Sequence, residues 1–306
     1  MDLDHSNLTH VGCGLCALRS RRLFTGLLAA GALGGAALPL RAQQAAAQDD
    51  GLRRDVGRNS RFTSLVSADQ VEAAAAQQYQ RTLSEAAQQR ALGGADHPQV
   101  VRLRAISQRI VPYAAPWNPR APQWRWEVNL LGSRELNAYC MPGGKIAFYF
   151  GILQKLQLND DEVAAIMGHE VAHALREHAR ERMGKTAATR IGAGVLSAVL
   201  GLGNAGDALL NMGGQLLTLK FSREDETEAD IVGMDLAARA GYDPAAGVSL
   251  WQKMMQANRS APPQWMSTHP SSDTRIKEIQ VKLAKAQPLF AKAAKPVRRF
   301  TPPPLS

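Results

Sequence analysis

Cysteine is scarce: 3 residues in 306. Two of them, Cys13 and Cys16, precede an arginine pair near the N-terminus, where a CxxC motif leaves with any cleaved leader. Cys140 would then stand alone, so no internal disulfide can form, and stability must come from the core and from any bound metal. The chain also lacks an unbroken run of about 20 strongly apolar residues, the length a membrane span requires. The run ending at Leu40 is interrupted by Gly26, Gly31, Gly34, Gly35 and Pro39. A second, from Ala187 through Leu219, is broken at Gly201, Gly203, Asn204, Gly206 and Asp207. There are no internal repeats and no nucleic-acid-binding motif, although the formal charge is +9. Without residues 1–42 the count is 32 basic against 25 acidic residues, a net +7. Much of that sits in a basic, Pro-rich tail, 287–306, where Lys292, Lys295, Arg298 and Arg299 precede Pro302. Such a tail either favours an anionic membrane surface or is merely solvated.

What is present is concentrated in five residues, His169-Glu170-Val171-Ala172-His173. On an α-helix the two histidines lie about 40° apart around the axis and roughly 6 Å along it, so both imidazoles reach one ion near 2.1 Å. Glu170 falls on the adjacent side, close enough to take a proton from an attacking water without being a ligand. This is the spacing a zinc peptidase needs. Asn159-Asp160-Asp161-Glu162 reads as the helix start. Apolar residues flank the histidines on both faces, which predicts a buried helix.

A zinc site needs a third protein ligand. The class with a third histidine six residues after the second is excluded, because Ala179 stands there. His178 would lie about 140° from His173 on a continuous helix and is expected to be structural or on the surface. A carboxylate from a later helix is the alternative. Ser222 with Asp225 resembles a capping box, and the helix it opens is expected to run to Gly241 as its C-cap. Glu226 and Asp230 share a face of that helix. Glu226 is the expected third ligand, and Asp230 the acceptor for a ligating histidine's second N–H. Glu228 points about 160° from that face and is expected to be solvated.

These residues, with Asn137-Ala138-Tyr139-Cys140-Met141-Pro142-Gly143-Gly144, Trp251-Gln252-Lys253-Met254, and Thr268-His269-Pro270 followed by Arg275, resemble the M48 family of zinc metallopeptidases, in particular its soluble periplasmic and mitochondrial members. The resemblance spans about residues 97–286. It implies one zinc held by His169, His173 and Glu226, with Glu170 as general base. It implies that His269 approaches the metal, either stabilising the transition-state oxyanion or blocking the open position. Arg275 is expected to pair with Asp230 or to stabilise the oxyanion, and Asn137, Gly143 and Gly144 are expected to contact substrate.

The expected fold is α+β: a mostly helical, zincin-like peptidase domain with a small β-sheet beside the active-site helix. Strands are expected at 124–130, by alternation, and at 146–150, the latter free to pair with an extended substrate. Ahead of the domain come a twin-arginine signal around Ser20-Arg21-Arg22-Leu23-Phe24 (residues 1–42), a disordered linker (43–66), and a helix from Ser67 to Leu92 stopped by Gly93-Gly94, within an N-terminal helical segment 67–96. The signal implies export to the periplasm; an uncleaved membrane anchor is the alternative. Residues 186–220 are a buried hairpin, a substrate-covering lid or a membrane-touching patch. Two functions stay open: a cell-envelope endopeptidase acting on misfolded polypeptides, and a poorly cleaving, chaperone-like binding module.

Overall fold

Side chains set the helix starts in this protein. In the computed structural model, which describes residues 51–192, 205–258, 264–269 and 273–305, Ser67 accepts from the Gln70 amide and opens α1 (Ala68–Gln88). His97 and Pro98 open α2 (Pro98–Ile110). After the short α3 (Phe150–Lys155), Asn159 and Glu162 form a reciprocal capping box that starts α4 (Asp160–Leu175). α5 (His178–Gly192) and α6 (Ala205–Leu216) follow. The Ser222–Asp225 pair starts α7 (Arg223–Arg239): the Asp225 amide donates to Ser222 Oγ at 3.2 Å and the Ser222 amide to Asp225 Oδ2 at 2.7 Å. The shorter aspartate thus does the work usual for glutamate. Ala240, not the expected Gly241, is the C-cap of α7, and Gly241 follows it at φ +85°. α8 (Ala246–Asn258), α9 (Gln264–Thr268) and α10 (Asp273–Lys292) complete the helices described.

The sheet has three strands in the order β1-β3-β2. β1 (Glu127–Leu131) runs parallel to β3 (Lys145–Tyr149), and β2 (Ala138–Met141) pairs antiparallel to β3. The fold is therefore the expected mostly helical α+β zincin-like domain. One expectation is corrected. The strand around 146–150 is the middle strand, with its backbone groups already paired on both sides, so it cannot take up a substrate. The outer strand packed beside α4 is β2, too short to show an alternating pattern in the sequence. Its link to β3 is a tight turn in which the Gly144 amide donates to the Met141 carbonyl. Gly143 and Gly144 have φ of +82° and +77°, and a Cβ on Gly144 would lie 2.8 Å from the Trp126 indole.

Further boundaries differ from expectation: the strand expected at 124–130 starts only at Glu127, because Trp124 caps the 3-10 turn Ala121–Gln123. α1 stops at Gln88 because Arg90 takes φ +53° and Leu92 leaves the helix to bridge Leu131. The part of 43–66 that is described is ordered, forming 3-10 turns at Gly51–Asp55 and Arg61–Leu65. Leu52 there is fully buried, and Asp55 pairs with Lys282 at 2.7 Å and Lys285 at 2.5 Å. A polar composition cannot show that one leucine and one aspartate find partners across the chain. The tail keeps Lys292, Lys295, Arg298 and Arg299 exposed, as a solvated charge run would, but its end is docked. α10 runs on to Lys292, and beyond it Arg299 donates to Asp161 and the Phe300 amide to Asp160. The carbonyls of Thr301 and Pro303 accept from Gln99 and Gln157. Prolines cannot donate, but their carbonyls still accept.

α4 is the hub. Val163, Ala164, Ile166, Met167, Val171 and Leu175 are all fully buried, as an apolar pattern on both faces of the helix requires. The described residues all fall in one compact unit. The signal peptide, residues 193–204 of the glycine-rich segment, and residues 259–263 and 270–272 lie outside the described residues. Of the 186–220 segment, α6 packs on α1. Among the described residues no helix is long and apolar enough to cross a membrane.

Candidate metal centre

The centre depends on how closely α4 and α7 approach. They cross at Gly168 and Gly233. A Cβ on Gly168 would lie 2.6 Å from the Gly233 carbonyl oxygen, and one on Gly233 would lie 2.7 Å from the His169 amide nitrogen. No other residue type fits at this crossing without parting the helices. The approach carries Glu226 and Asp230 of α7 onto the two histidines of α4.

Four side chains converge. One donor atom from each of His169, His173, Glu226 and His269 lies within 4.8 Å of the others, and all four residues are buried. His169 Nε2 is 3.0 Å from His173 Nε2 and 3.2 Å from His269 Nδ1. Glu226 carboxylate oxygens lie 3.5 Å from each of the His169 and His173 Nε2 atoms and 2.9 Å from His269 Nδ1. Three ring nitrogens and a carboxylate facing one point, away from water, suit a cation. Imidazole and carboxylate donors are the set that zinc accepts.

The groups behind the donors are equally defined. Asp230 Oδ1 lies 3.1 Å from His169 Nδ1, the nitrogen turned away from the centre. Arg275, also buried, donates to both Asp230 oxygens, at 2.5 and 2.8 Å, and to Glu226 Oε2 at 2.5 Å. It stacks 3.8 Å over the Trp251 ring. Of the two roles expected for Arg275, the geometry shows the pairing with Asp230 and adds Glu226. Burial opposes charge on His169, but the Asp230 and Glu226 carboxylates outweigh it and hold the metal-free ring up at about 9. Burial alone would raise Glu226, yet His269, His169 and His173 hold its carboxyl well below the usual range. Burial and the neighbouring His169 push His173 down, against the pull of Glu226. The electrostatics thus favour an ionised carboxylate with a positive charge beside it.

Glu170 lies on the wall of a cavity of about 350 Å³ that also reaches Asn137, Cys140, His173, Leu217, Phe221 and His269. Of the expected substrate-binding residues, Asn137 lines this cavity. Gly143 and Gly144 do not; they shape the β2–β3 turn. The cavity wall formed by Leu216, Leu217 and Leu219 gives the end of the glycine-rich segment a place beside the site.

Several residues escaped the sequence reading. Trp265 of α9 donates its indole N–H to Glu170 Oε1 at 2.5 Å and stacks on Trp251. Phe221 stacks on His173 with centroids 4.0 Å apart. His178 is buried, its Nδ1 2.8 Å from His173 Nδ1. The expectation of a structural or surface histidine assumed a continuous helix, but Glu177 takes φ +57° and a new helix starts at His178. Glu228, expected to be solvated, instead accepts from Arg176 at 2.9 Å and lies 3.4 Å from His178 Nε2. Only its position two residues after Glu226 could have flagged it.

The HExxH helix, the carboxylate on a second helix and the sheet beside them define a zincin-like metallopeptidase domain. The profile of Peptidase family M48 matches residues 101–282, and the chain belongs to that family. It is 34% identical over 194 residues to "Mitochondrial metalloendopeptidase OMA1" of Schizosaccharomyces pombe, covering 62% of this chain and 55% of that protein. It is 31% identical to the Saccharomyces cerevisiae protein of the same name over 206 residues, 63% of this chain and 59% of that one. It is 26% identical to "Beta-barrel assembly-enhancing protease" of Escherichia coli over 202 residues, 63% of this chain and 40% of that one. The chain thus spans about half the length of these relatives.

Proposed function

We propose that the protein is a zinc endopeptidase of the bacterial cell envelope, cleaving misfolded or mis-assembled polypeptides. The convergence of His169, His173 and Glu226 behind a cavity whose wall includes His173 and Glu170 carries this reading. Zinc bound there would act as a Lewis acid toward the scissile carbonyl and make a water acidic near neutral pH. Glu170 takes the proton of the attacking water and passes it to the departing amide nitrogen. Trp265 fixes which way its carboxylate points.

Outer strand β2 borders the cavity through Ala138–Met141, so an extended peptide can align along its free edge through backbone hydrogen bonds. Unfolded chains offer extended, unpaired backbone along their length, whereas folded ones restrict it to a few protected edges. The twin-arginine stretch at Ser20–Phe24 supports export to the periplasm, and the relatives' names, an endopeptidase and a protease, support protein substrates.

His269 sits inside the donor cluster, 2.9 Å from Glu226. We read this arrangement as a resting state in which His269 takes the position that substrate needs, so turnover requires its withdrawal. The same observation favours a second reading, a folded binding module that cleaves poorly. Casein cleavage by the wild type and by Glu170→Gln, each with and without chelator, separates them. The peptidase reading expects chelator-sensitive cleavage and its near-complete loss in Glu170→Gln, with zinc and fold retained. Undiminished cleavage by Glu170→Gln removes the mechanism. A zinc-loaded wild type and His269→Ala that both fail to cleave would leave the binding module.

A further inference from the structure

We infer that His178 and Glu228 are positioning residues for the metal ligand His173, acting as a two-step hydrogen-bond chain that fixes its tautomer and ring orientation. The inference rests on the metal-centre reading above. His173 turns its Nε2 toward the converging donors, 3.0 Å from His169 Nε2 and 3.5 Å from Glu226 Oε1. A ring that coordinates through Nε2 carries its hydrogen on Nδ1. That Nδ1 lies 2.8 Å from His178 Nδ1, so His173 donates and His178 accepts.

His178 must then carry its own hydrogen on Nε2, and the atom facing that nitrogen is Glu228 Oε2, 3.4 Å away. Glu228 is held in turn by Arg176 Nε at 2.9 Å, and Arg176 is anchored to the Gly57 carbonyl at 2.7 Å. Every donor in the chain has an acceptor, and the direction is set from the metal outward: His173 to His178 to Glu228.

The two ligating histidines of α4 are therefore supported differently. His169 faces a carboxylate directly, in Asp230. His173 reaches one through an intervening imidazole. The cause lies in the backbone. Glu226 and Asp230 share the face of α7 that meets the metal ligands, whereas Glu228 projects from another side of the same helix. The left-handed Glu177 swings His178 into the gap between His173 and Glu228. A burial of 1% exposure for His178 keeps water from replacing either contact. Partners that orient a ligating histidine this way contribute about 10- to 100-fold in metal affinity.

The test is zinc affinity by chelator competition, alongside thermal melts of the metal-free proteins and the visible spectrum of the cobalt-substituted ones. His178→Phe keeps a ring but removes both nitrogens, and its zinc affinity is expected to fall about 10- to 100-fold with an altered cobalt spectrum. His178→Gln retains an acceptor and is expected to keep more of the affinity than His178→Phe. Glu228→Ala, at a partly exposed position, is expected to bind zinc at full stoichiometry but more weakly. A folded His178→Phe with zinc affinity within about threefold of wild type, well inside the expected loss, overturns the inference. So does a metal-free melting temperature that falls while zinc affinity stays unchanged, since that is packing alone. If His178→Phe does not fold, Glu228→Ala decides, and wild-type affinity there overturns it. A wild type that takes up no zinc would instead sink the metal-centre reading.

Discussion

Gly233→Ala places a methyl group where α4 and α7 touch. The added carbon would lie 2.7 Å from the His169 amide nitrogen and 2.8 Å from the Gly168 carbonyl carbon, against ordinary contact from 3.4 Å. Both obstacles are backbone, which cannot rotate away, so the helices must part by about 0.7 Å. Overpacking of this kind costs about 1–3 kcal/mol. The higher helix propensity of alanine offsets at most about 1 kcal/mol. The metal-free protein should therefore lose up to about 3 kcal/mol, and about 1 kcal/mol at mid-range values with the full offset. The separation also displaces Glu226 and Asp230 from the histidines by several times the ~0.2 Å tolerance of metal–ligand distances. Zinc affinity should fall by at least about 10-fold. Gly214→Ala is the control: an added Cβ there meets nothing within 4 Å, and the change should be neutral or stabilising by up to about 1 kcal/mol. Denaturant unfolding in chelator gives the first quantity and chelator competition the second. Gly233→Ala with wild-type stability and wild-type zinc affinity would refute the claim that this crossing builds the site.

Glu226→Ala should abolish stoichiometric zinc and, by removing one carboxylate partner of buried Arg275, destabilise the protein by about 3 kcal/mol; full occupancy in metal analysis would show that another acid is the ligand. Zinc binding should release protons. The metal-free His169 ring, held at about 9, is protonated at neutral pH and must be neutral to coordinate. Calorimetry in buffers of different ionisation enthalpy should give about one proton released near pH 7, vanishing above about pH 9, with apparent affinity rising roughly tenfold per pH unit below that point. An affinity independent of pH across the neutral range would contradict it. His269→Ala should raise turnover if the imidazole blocks the centre; a fall of roughly 10²-fold would assign it to oxyanion stabilisation instead, and no change would make it an ordinary loop histidine.

The sequence by itself determined whatever depends on neighbours within a turn or two of helix. The i, i+4 spacings of His169 with His173 and of Glu226 with Asp230, and the capping pairs at Asn159 and Ser222, are local, and each stands in the structure where its spacing puts it. The same local logic failed at His178, because a single left-handed residue, Glu177, reset the helix phase. Tertiary structure alone decided the rest. The glycine crossing of Gly168 on Gly233 set how close the carboxylates come. The indole of Trp265 reached Glu170 from 95 positions away. Strand order put β2, not β3, at the outer position of the sheet, and Asp55 and the proline tail found partners across the length of the chain. Such contacts join residues that no spacing along the sequence relates. They form because packing α4 and α7 at backbone distance buries their polar groups, and each buried donor or charge then takes whichever partner the fold brings within reach.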